Sequence, residues 1–228
     1  MNKLESIFHI FYPKSCACCE ANLIANETII CTNCRHDLSY FDNKDFIENQ
    51  LSIIFKGRIP IKKAVAFFQF QKYGKAKNLI HQLKYQGRQE IGTLLGKWCV
   101  HQLKLKDVFN TVDYIIPVPL HKKKQRKRGY NQLTTFGKAL SEELQIPYIE
   151  SILIRSSFSK TQTYKNRFER FINTETKFEI IDTQLFENKH VLLIDDVITT
   201  GATIESCCKE LIRSENIEIS ILTMAFTI

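Results

Sequence analysis

The sequence predicts an α/β protein with a doubly wound, mostly parallel sheet. Short aliphatic runs alternate along the chain with segments of helical periodicity, which is typical of strands joined by crossover helices. Residues 191–194 are four consecutive aliphatic residues, as expected of a strand buried on both faces. The 228 residues suit one domain of ordinary size, expected over residues 61–228, and an N-terminal appendage over residues 1–60.

Each element of the larger domain follows from its local pattern. Aliphatic, β-branched and aromatic runs predict strands at residues 64–70, 112–119, 148–154, 191–194 and 217–226, the last of which alternates and is expected to close the sheet. Amphipathic spacing predicts helices at residues 75–84, 91–105, 130–144 and 204–213, and a short helix or turn at residues 166–171. Residues 117–128 are expected to form a basic loop that Gly129 ends. Because ligands of such sheets bind beyond the carboxyl ends of strands, the functional site is expected where strands 112–119 and 191–194 end.

The N-terminal appendage contains two paired cysteine motifs. Cys16 and Cys19 form one CxxC turn, and Cys31 and Cys34 form a second, which predicts four thiolates around a structural Zn²⁺ with no open coordination position. Free thiols remain an alternative, as does replacement of one ligand by a neighbouring cysteine or histidine. The remaining residues of the appendage are interpreted as a helix over residues 4–11, ended by Pro13, and a connector over residues 37–60.

The strand at residues 191–194 is followed by polar groups suited to a sugar phosphate. Asp195 and Asp196 stand at its end, where they would hold ribose hydroxyls. A turn rich in hydroxyl groups and glycine then leads into a helix, whose N-terminal N–H groups would bind the 5′-phosphate. The residues of this turn are Thr199, Thr200, Gly201, Ala202 and Thr203. The alternative is an ordinary strand–turn–helix with Thr199 or Thr200 as its N-cap.

The charge pattern favours an anionic partner. The formal net charge is +8, and six cations fall within seven positions: Lys122, Lys123, Lys124, Arg126, Lys127 and Arg128. A polyphosphate ligand and nucleic acid are both compatible with this run, as is a solvated basic surface. With no apolar run of membrane-spanning length and no signal-peptide pattern, we expect a cytoplasmic protein without membrane insertion.

Residues 191–203 closely resemble the signature for 5-phosphoribosyl 1-pyrophosphate (PRPP) in type I phosphoribosyltransferases. The order of motifs along residues 13–226 resembles the ComF family, phosphoribosyltransferase-like proteins associated with DNA uptake in natural competence. These motifs are the paired CxxC turns, residues 83–88, 117–121 and 128–132, residues 160–163 with Arg167, Arg170 and Asn173, and the signature. The resemblance implies a type I phosphoribosyltransferase fold, PRPP with Mg²⁺ as ligands, and partners among other competence proteins.

The resemblance also implies roles for individual residues. Asp195 and Asp196 would be catalytic, and the turn at residues 199–203 would hold the 5′-phosphate. The segment after the Pro-Val-Pro turn resembles the pyrophosphate loop of amidophosphoribosyltransferases and comprises Val118, Pro119, Leu120, His121 and Lys122. A flexible loop would contribute Lys160, Gln162 and Arg167. Amidophosphoribosyltransferases have an acid, a hydroxyl and a glycine where this chain has residues 120–122, so cationic side chains would partly replace the backbone cradle.

Three functions are compatible with these motifs. The first is a phosphoribosyltransferase whose acceptor the sequence does not identify. The second is an accessory protein that handles single-stranded DNA and binds PRPP or a nucleotide without turnover. The third is a regulator that senses PRPP. The intact signature favours PRPP binding, and the basic run with the cysteine motifs favours nucleic acid.

Overall fold

A computed structural model describes residues 14–156 and 177–227 of the chain. The strands, in chain order, are β1 (Lys63–Phe70), β2 (Tyr114–Pro117), β3 (Leu153–Ser156), β4 (Lys177–Ile180), β5 (His190–Ile198) and β6 (Glu218–Thr227). The helices are α1 (Thr32–His36), α2 (Gln50–Ile53), α3 (Lys75–Tyr85), α4 (Glu90–Gln102), α5 (Leu105–Val108), α6 (Lys122–Arg128), α7 (Gln132–Leu144) and α8 (Ala202–Leu211), with a 3-10 turn at Gln184–Phe186. The helix predicted at residues 4–11, the short element predicted at residues 166–171 and the flexible-loop residues Lys160, Gln162 and Arg167 lie outside the described residues.

The main sheet contains four strands in the order β1-β6-β5-β2, and all neighbouring strands are parallel. The predicted α/β class with a parallel sheet is therefore confirmed. Strand β6 was expected to close the sheet, but it lies between β1 and β5. Its burial is continuous from Ile219 to Phe226 rather than alternating, because both of its faces are covered.

Two predicted elements, the helix at residues 91–105 and the strand at residues 148–154, are shorter in the structure. The helix predicted at residues 91–105 ends at Gln102, and Lys104 takes a left-handed φ of 49° before α5 begins. The strand predicted at residues 148–154 is reduced to an isolated bridge between Tyr148 and Ile115. Strand β3 begins only at Leu153, where it pairs antiparallel with β4, a strand that the sequence pattern did not indicate.

The basic run at residues 122–128 forms helix α6 rather than the predicted loop. Lysine, arginine and glutamine are good helix formers, so the run contains nothing that opposes a helix. Gly129 ends the helix with a φ of 78°, and its N–H donates to the Gln125 carbonyl at 2.7 Å. The run of cations therefore has a regular backbone next to the carboxyl end of β2.

The segment predicted as a connector packs into the core. Leu51 and Phe55 are fully buried, and α2 begins with a capping box between Asn49 and Ser52. The Asn49 side chain also donates to the carbonyl of Ala64 in β1 at 2.8 Å. One continuous cluster of buried hydrophobic side chains includes residues from both sides of position 60, and the predicted division at that position stays a prediction.

Helices α4 and α7 pack closely because glycines line their contact. A Cβ atom at Gly96 would lie 2.7 Å from the Cβ of Ala139, and one at Gly92 would lie 2.1 Å from Thr135 Oγ1. At the start of α7, the side chain of Asn131 accepts a hydrogen bond from the Leu133 N–H at 3.1 Å. This packing and cap fix the first turn of α7, where Gln132 is buried against the end of the sheet.

Within residues 14–156 and 177–227, the longest apolar helix falls short of what a membrane span requires.

Candidate functional site

The structure brings the predicted acid pair, the turn and the 118–122 segment to one edge of the sheet. Strand β2 pairs with β5 in a register that places Pro117 beside Ile194, and the Val118 N–H donates to the Ile194 carbonyl at 2.9 Å. The chain then continues through Pro119, Leu120 and His121, which are half-buried, into Lys122 at the start of α6. Since parallel strands end at the same edge, these residues lie beside Asp195 and the turn that follows β5.

Asp196 is held by two side chains from other elements. The Lys84 ammonium lies 2.6 Å from Asp196 Oδ1, and the Gln132 side-chain amide donates to Asp196 Oδ2. Lys84 comes from the last turn of α3, and Gln132 is the first residue of α7. Sequence reasoning assigned neither residue a role, although both lie in motifs (residues 83–88 and 128–132) on which the family resemblance rests.

Asp195 is buried and has an unusual protonation equilibrium. Burial and the negative charge of Asp196 raise the pKa of Asp195 from 3.8 to about 8, against the opposing charge of Lys84. The Asp196 N–H donates to Asp195 Oδ1 at 2.8 Å. Asp195 therefore favours the protonated form near neutral pH, beside Asp196, which pairs with Lys84. Such a pair can both donate to and accept from the hydroxyl groups of a sugar.

The turn after β5 leaves the start of α8 open to a ligand. Gly201 precedes the helix with a φ of 76° and supplies no side-chain cap, so neither Thr199 nor Thr200 is the N-cap of the alternative interpretation. Thr200 Oγ1 lies 3.5 Å from the Ala202 nitrogen, at the limit of a hydrogen bond. Because the first N–H groups of a helix need an external partner, an anion at this position would satisfy them.

A basic pocket of about 330 Å³ opens beside the acid pair. It is lined by Lys84, Tyr85, Gly87, Lys124, Arg128 and Tyr130. The Arg128 guanidinium stacks on the Tyr85 ring, 4.8 Å from its centroid, and donates to Gln132 Oε1 at 2.6 Å. Lys84 and Gln132 thus connect the pocket to Asp196. Its three cations suit phosphate groups, and its two tyrosines provide ring surfaces.

The four predicted cysteine ligands lie together. The Sγ atoms of Cys16, Cys19, Cys31 and Cys34 are all within 4.8 Å of one another. Neither His36, which is exposed and 3.6 Å from Asp37, nor the buried Cys18 belongs to this group among the described residues. The cluster could therefore hold a metal ion through the four residues predicted from spacing.

Backbone N–H groups prepare this cluster for negative charge. The N–H groups of Cys31 and Cys18 point at Cys16 Sγ at 3.3 and 3.4 Å. Although burial acts in the opposite direction, these bonds lower the pKa of Cys16 to about 6. Burial and the neighbouring thiols raise the pKa of Cys34 to about 12. A divalent cation among the thiols would reverse that second effect, since coordination favours thiolates.

Helix α3 connects the cysteine cluster to the acid pair. Near its start, Lys75 pairs with Asp37 at 2.7 Å and Asn78 donates to the Cys18 carbonyl at 2.8 Å. Near its end, Lys84 contacts Asp196. At a rise of about 1.5 Å per residue, the distance along the helix from Asn78 to Lys84 is roughly 9 Å. The appendage thus contacts the same helix that supplies a cation to the site.

Comparison with known proteins identifies the main domain. A family model described as "Phosphoribosyl transferase domain" matches residues 134–226, which include β5, the turn and most of α7 and β6. Together with the parallel sheet, this match confirms the predicted type I phosphoribosyltransferase fold. Among solved structures, adenine phosphoribosyltransferase from Saccharomyces cerevisiae is similar at 16% identity over 62% of this chain and 69% of that one, with a TM-score of 0.37. A likeness this low does not contribute to the assignment.

Two curated relatives have names that refer to competence or to DNA utilization. "Competence protein F" from Haemophilus influenzae is 33% identical over 150 residues, covering 61% of this chain and 62% of that protein. "DNA utilization protein YhgH" from Shigella flexneri is 28% identical over 139 residues, covering 60% of each. The chain spans about three fifths of the length of these relatives.

The raised pKa of Asp195 predicts a specific pH dependence of stability. Between its ordinary pKa of 3.8 and its folded pKa of about 8, the folded state binds more protons than the unfolded state, so stability falls as pH rises. Asp195→Asn removes this titration and keeps an oxygen for the Asp196 N–H. Its free energy of unfolding should therefore rise relative to wild type between pH 5 and 8, by at most about 1.4 kcal/mol per pH unit.

Urea unfolding of both proteins across that pH range measures the difference. Asp107→Asn, which changes an exposed carboxyl in α5, is the matched control and should stay parallel to wild type. An Asp195→Asn curve that also runs parallel to wild type would contradict the assigned pKa.

Proposed function

We propose that this chain, a homologue of the ComF-family competence proteins with a phosphoribosyl transferase domain, binds PRPP with Mg²⁺ and transfers its phosphoribosyl group to an acceptor. The observation that carries the proposal is the convergence of three features at one sheet edge. These are a buried acid pair, an uncapped helix N-terminus and a basic pocket. Each suits a different part of PRPP: the ribose, the 5′-phosphate and the pyrophosphate.

The acid pair acts on the ribose. Asp195, protonated, donates to one hydroxyl, while Asp196 accepts from the other and remains oriented by Lys84 and Gln132. As the bond between C1 and the pyrophosphate oxygen breaks, pyrophosphate leaves with the electron pair and the sugar gains positive charge. The acceptor atom then forms a bond to C1 and loses its proton. The nearby carboxylate stabilises the cationic transition state because it is already in position.

Two segments bind the phosphate groups. The N–H groups of residues 200–203 receive the 5′-phosphate at the positive end of α8. The pyrophosphate is bound by Val118, Pro119, Leu120, His121 and Lys122, together with Lys124 and Arg128 of the pocket. At residues 120–122 this chain lacks the acid, hydroxyl and glycine of amidophosphoribosyltransferases. The charge of these side chains therefore replaces part of the backbone cradle for pyrophosphate. Lys160, Gln162 and Arg167, which lie outside the described residues, are proposed to contribute to pyrophosphate binding as well.

Magnesium fits this site as a partner of the substrate more than of the protein. Mg²⁺ prefers oxygen ligands and keeps several waters. Both carboxylate oxygens of Asp196 already have partners in Lys84 and Gln132, so direct protein ligands are few. A Mg²⁺ ion bound with the substrate next to Asp195 and Asp196 would supply positive charge that neutralises the leaving pyrophosphate.

We also propose that Cys16, Cys19, Cys31 and Cys34 hold a structural Zn²⁺. The four thiols lie close together, and N–H groups point at Cys16 Sγ as expected around a thiolate ligand. Four protein ligands leave no position for substrate. The cytoplasm is the matching compartment, because all eight cysteines are unpaired and a reducing environment keeps them so.

The zinc proposal predicts about one Zn²⁺ per chain in purified protein, measured by mass spectrometry of the metal content. Cys31→Ser should lose most of the metal, since three thiolates bind it more weakly. Cys99→Ser, which changes a buried cysteine outside the cluster, should retain it. A metal-free wild-type protein with four freely reactive thiols would refute the site.

Binding of PRPP predicts a rise in thermal stability. A ligand at a hundred times its dissociation constant adds roughly 2.7 kcal/mol to the stability of the folded state. The melting temperature should therefore increase with millimolar PRPP and Mg²⁺, and the increase should disappear in Asp195→Asn/Asp196→Asn. Asp107→Asn should respond like wild type. An unchanged melting temperature in wild-type protein would rule out this site.

A specific observation favours the second function, a non-catalytic protein that handles single-stranded DNA. Six of the seven residues of α6 are cationic, and Lys124 and Arg126 in this helix are exposed. The names of the relatives refer to competence and DNA utilization. Release of pyrophosphate from PRPP across a panel of amines and nucleobases separates the two functions, because the non-catalytic protein would release none. A PRPP-sensing regulator ranks third, and other competence proteins would be partners in each case.

Direct DNA binding predicts a steep salt dependence. Affinity for single-stranded DNA should fall with a logarithmic slope of about −0.7 per phosphate contacted. Neutralising Lys122, Lys123 and Lys124 with glutamine should flatten that slope in filter binding at several salt concentrations. The control variant neutralises three exposed lysines elsewhere, Lys104, Lys106 and Lys138. An equal effect of both variants, or no DNA retained by wild type at low salt, would exclude α6 as a specific DNA contact.

A further inference from the structure

Arg58 joins the N-terminal segment to the turn that follows β5. Its Nη1 atom donates to the Ile54 carbonyl at 3.0 Å and to the Thr200 carbonyl at 3.3 Å. Its Nη2 atom forms an ion pair with Glu205. One guanidinium therefore contacts its own segment, the turn and helix α8 together.

Glu205 is an unfavourable residue for a phosphate site unless its charge is neutralised. It stands in the first turn of α8, and its N–H donates to the Gly201 carbonyl at 2.9 Å. A carboxylate at this position repels any anion bound at the helix N-terminus. Lys209 also pairs with Glu205, at 2.7 Å, but it comes from the next turn of the helix and its side chain is 63% exposed. Arg58 is the partner that also contacts the turn itself.

The segment that carries Arg58 is fixed against the turn. Phe55 is fully buried, and a Cβ atom at Gly201 would lie 2.6 Å from Phe55 Cε1 and 3.0 Å from Ile54 Cδ1. The capping box between Asn49 and Ser52 orders the residues that precede Arg58. Arg58 thus starts from a defined backbone position, so only its side chain has to be ordered when it pairs with Glu205.

We propose that Arg58 is a positioning residue for the sugar-phosphate site, which neutralises Glu205 and thereby sets the affinity of the turn for the 5′-phosphate. The inference rests on the proposed function, because it assumes that the turn binds the 5′-phosphate. It assigns the connector a part in ligand binding without contact to the reacting atoms.

The test uses the full chain and ribose 5-phosphate, which isolates the 5′-phosphate contact, in titration calorimetry. Arg58→Gln should weaken binding about tenfold, since Glu205 then faces the anion with only Lys209 as its partner. Glu205→Gln should bind more tightly than wild type, because the repelling charge is gone and Arg58 remains. Arg58→Gln/Glu205→Gln should recover most of the affinity that Arg58→Gln loses.

Arg213→Gln is the matched control, since Arg213 pairs with Glu210 at 2.9 Å beyond the far end of the same helix, and it should bind like wild type. Unchanged affinity in Arg58→Gln, or a double variant as weak as Arg58→Gln, would overturn the inference alone. Should Arg58→Gln fail to fold, Glu205→Gln decides, because weaker binding than wild type contradicts a repelling carboxylate. Absence of wild-type binding to both ribose 5-phosphate and PRPP would instead refute the proposed function and the inference with it.

Discussion

The contact of Lys84 with Asp196 is the interaction on which the arrangement of the site depends. Two adjacent acids within the buried strand β5 are costly to ionise together, because each raises the free energy of charging the other. Lys84 offsets one charge, and Asp195 retains its proton. The same contact joins α3 to β5, and Gln132 adds α7, so three elements meet at a single carboxylate.

Segments near the N-terminus contact the candidate site at two places, and the contact of Lys84 with Asp196 is one of them. Helix α3 contacts the segment of the cysteine cluster near its start, through Asn78 and the Cys18 carbonyl, and carries Lys84 near its end. In the connector, Phe55 packs against Gly201 of the turn after β5, and Arg58 pairs with Glu205. The N-terminal residues thus contact two parts of the candidate site, the acid pair by way of α3 and the turn after β5 by way of the connector.

The sequence predicted those features that depend on neighbouring residues. Strand β5, the acid pair, the turn and the cysteine spacing each carry their signal within a few positions. The structure shows the thiol cluster as expected, whereas β5 continues past the predicted residues 191–194 to Ile198 and contains both acids. The pairing of Lys84 with Asp196 spans 112 positions, so no local pattern could reveal it. Helix α6 was missed because a run of like charges was interpreted by its charge rather than its helix propensity. The packing of the connector into the core was missed because its buried residues have no regular period.

Gly201 restricts the shape of the turn between β5 and α8. Its positive φ excludes most side chains, and the space that a Cβ would need is filled by Phe55 and Ile54. A turn restricted in this way is ordered before any ligand arrives. Under the proposed function, an incoming sugar phosphate would lose little affinity to ordering of the protein, and a poorly matched anion would be unable to improve its fit by reshaping the turn. Selectivity among anions at this turn would then depend on a backbone shape that is already fixed in the folded protein.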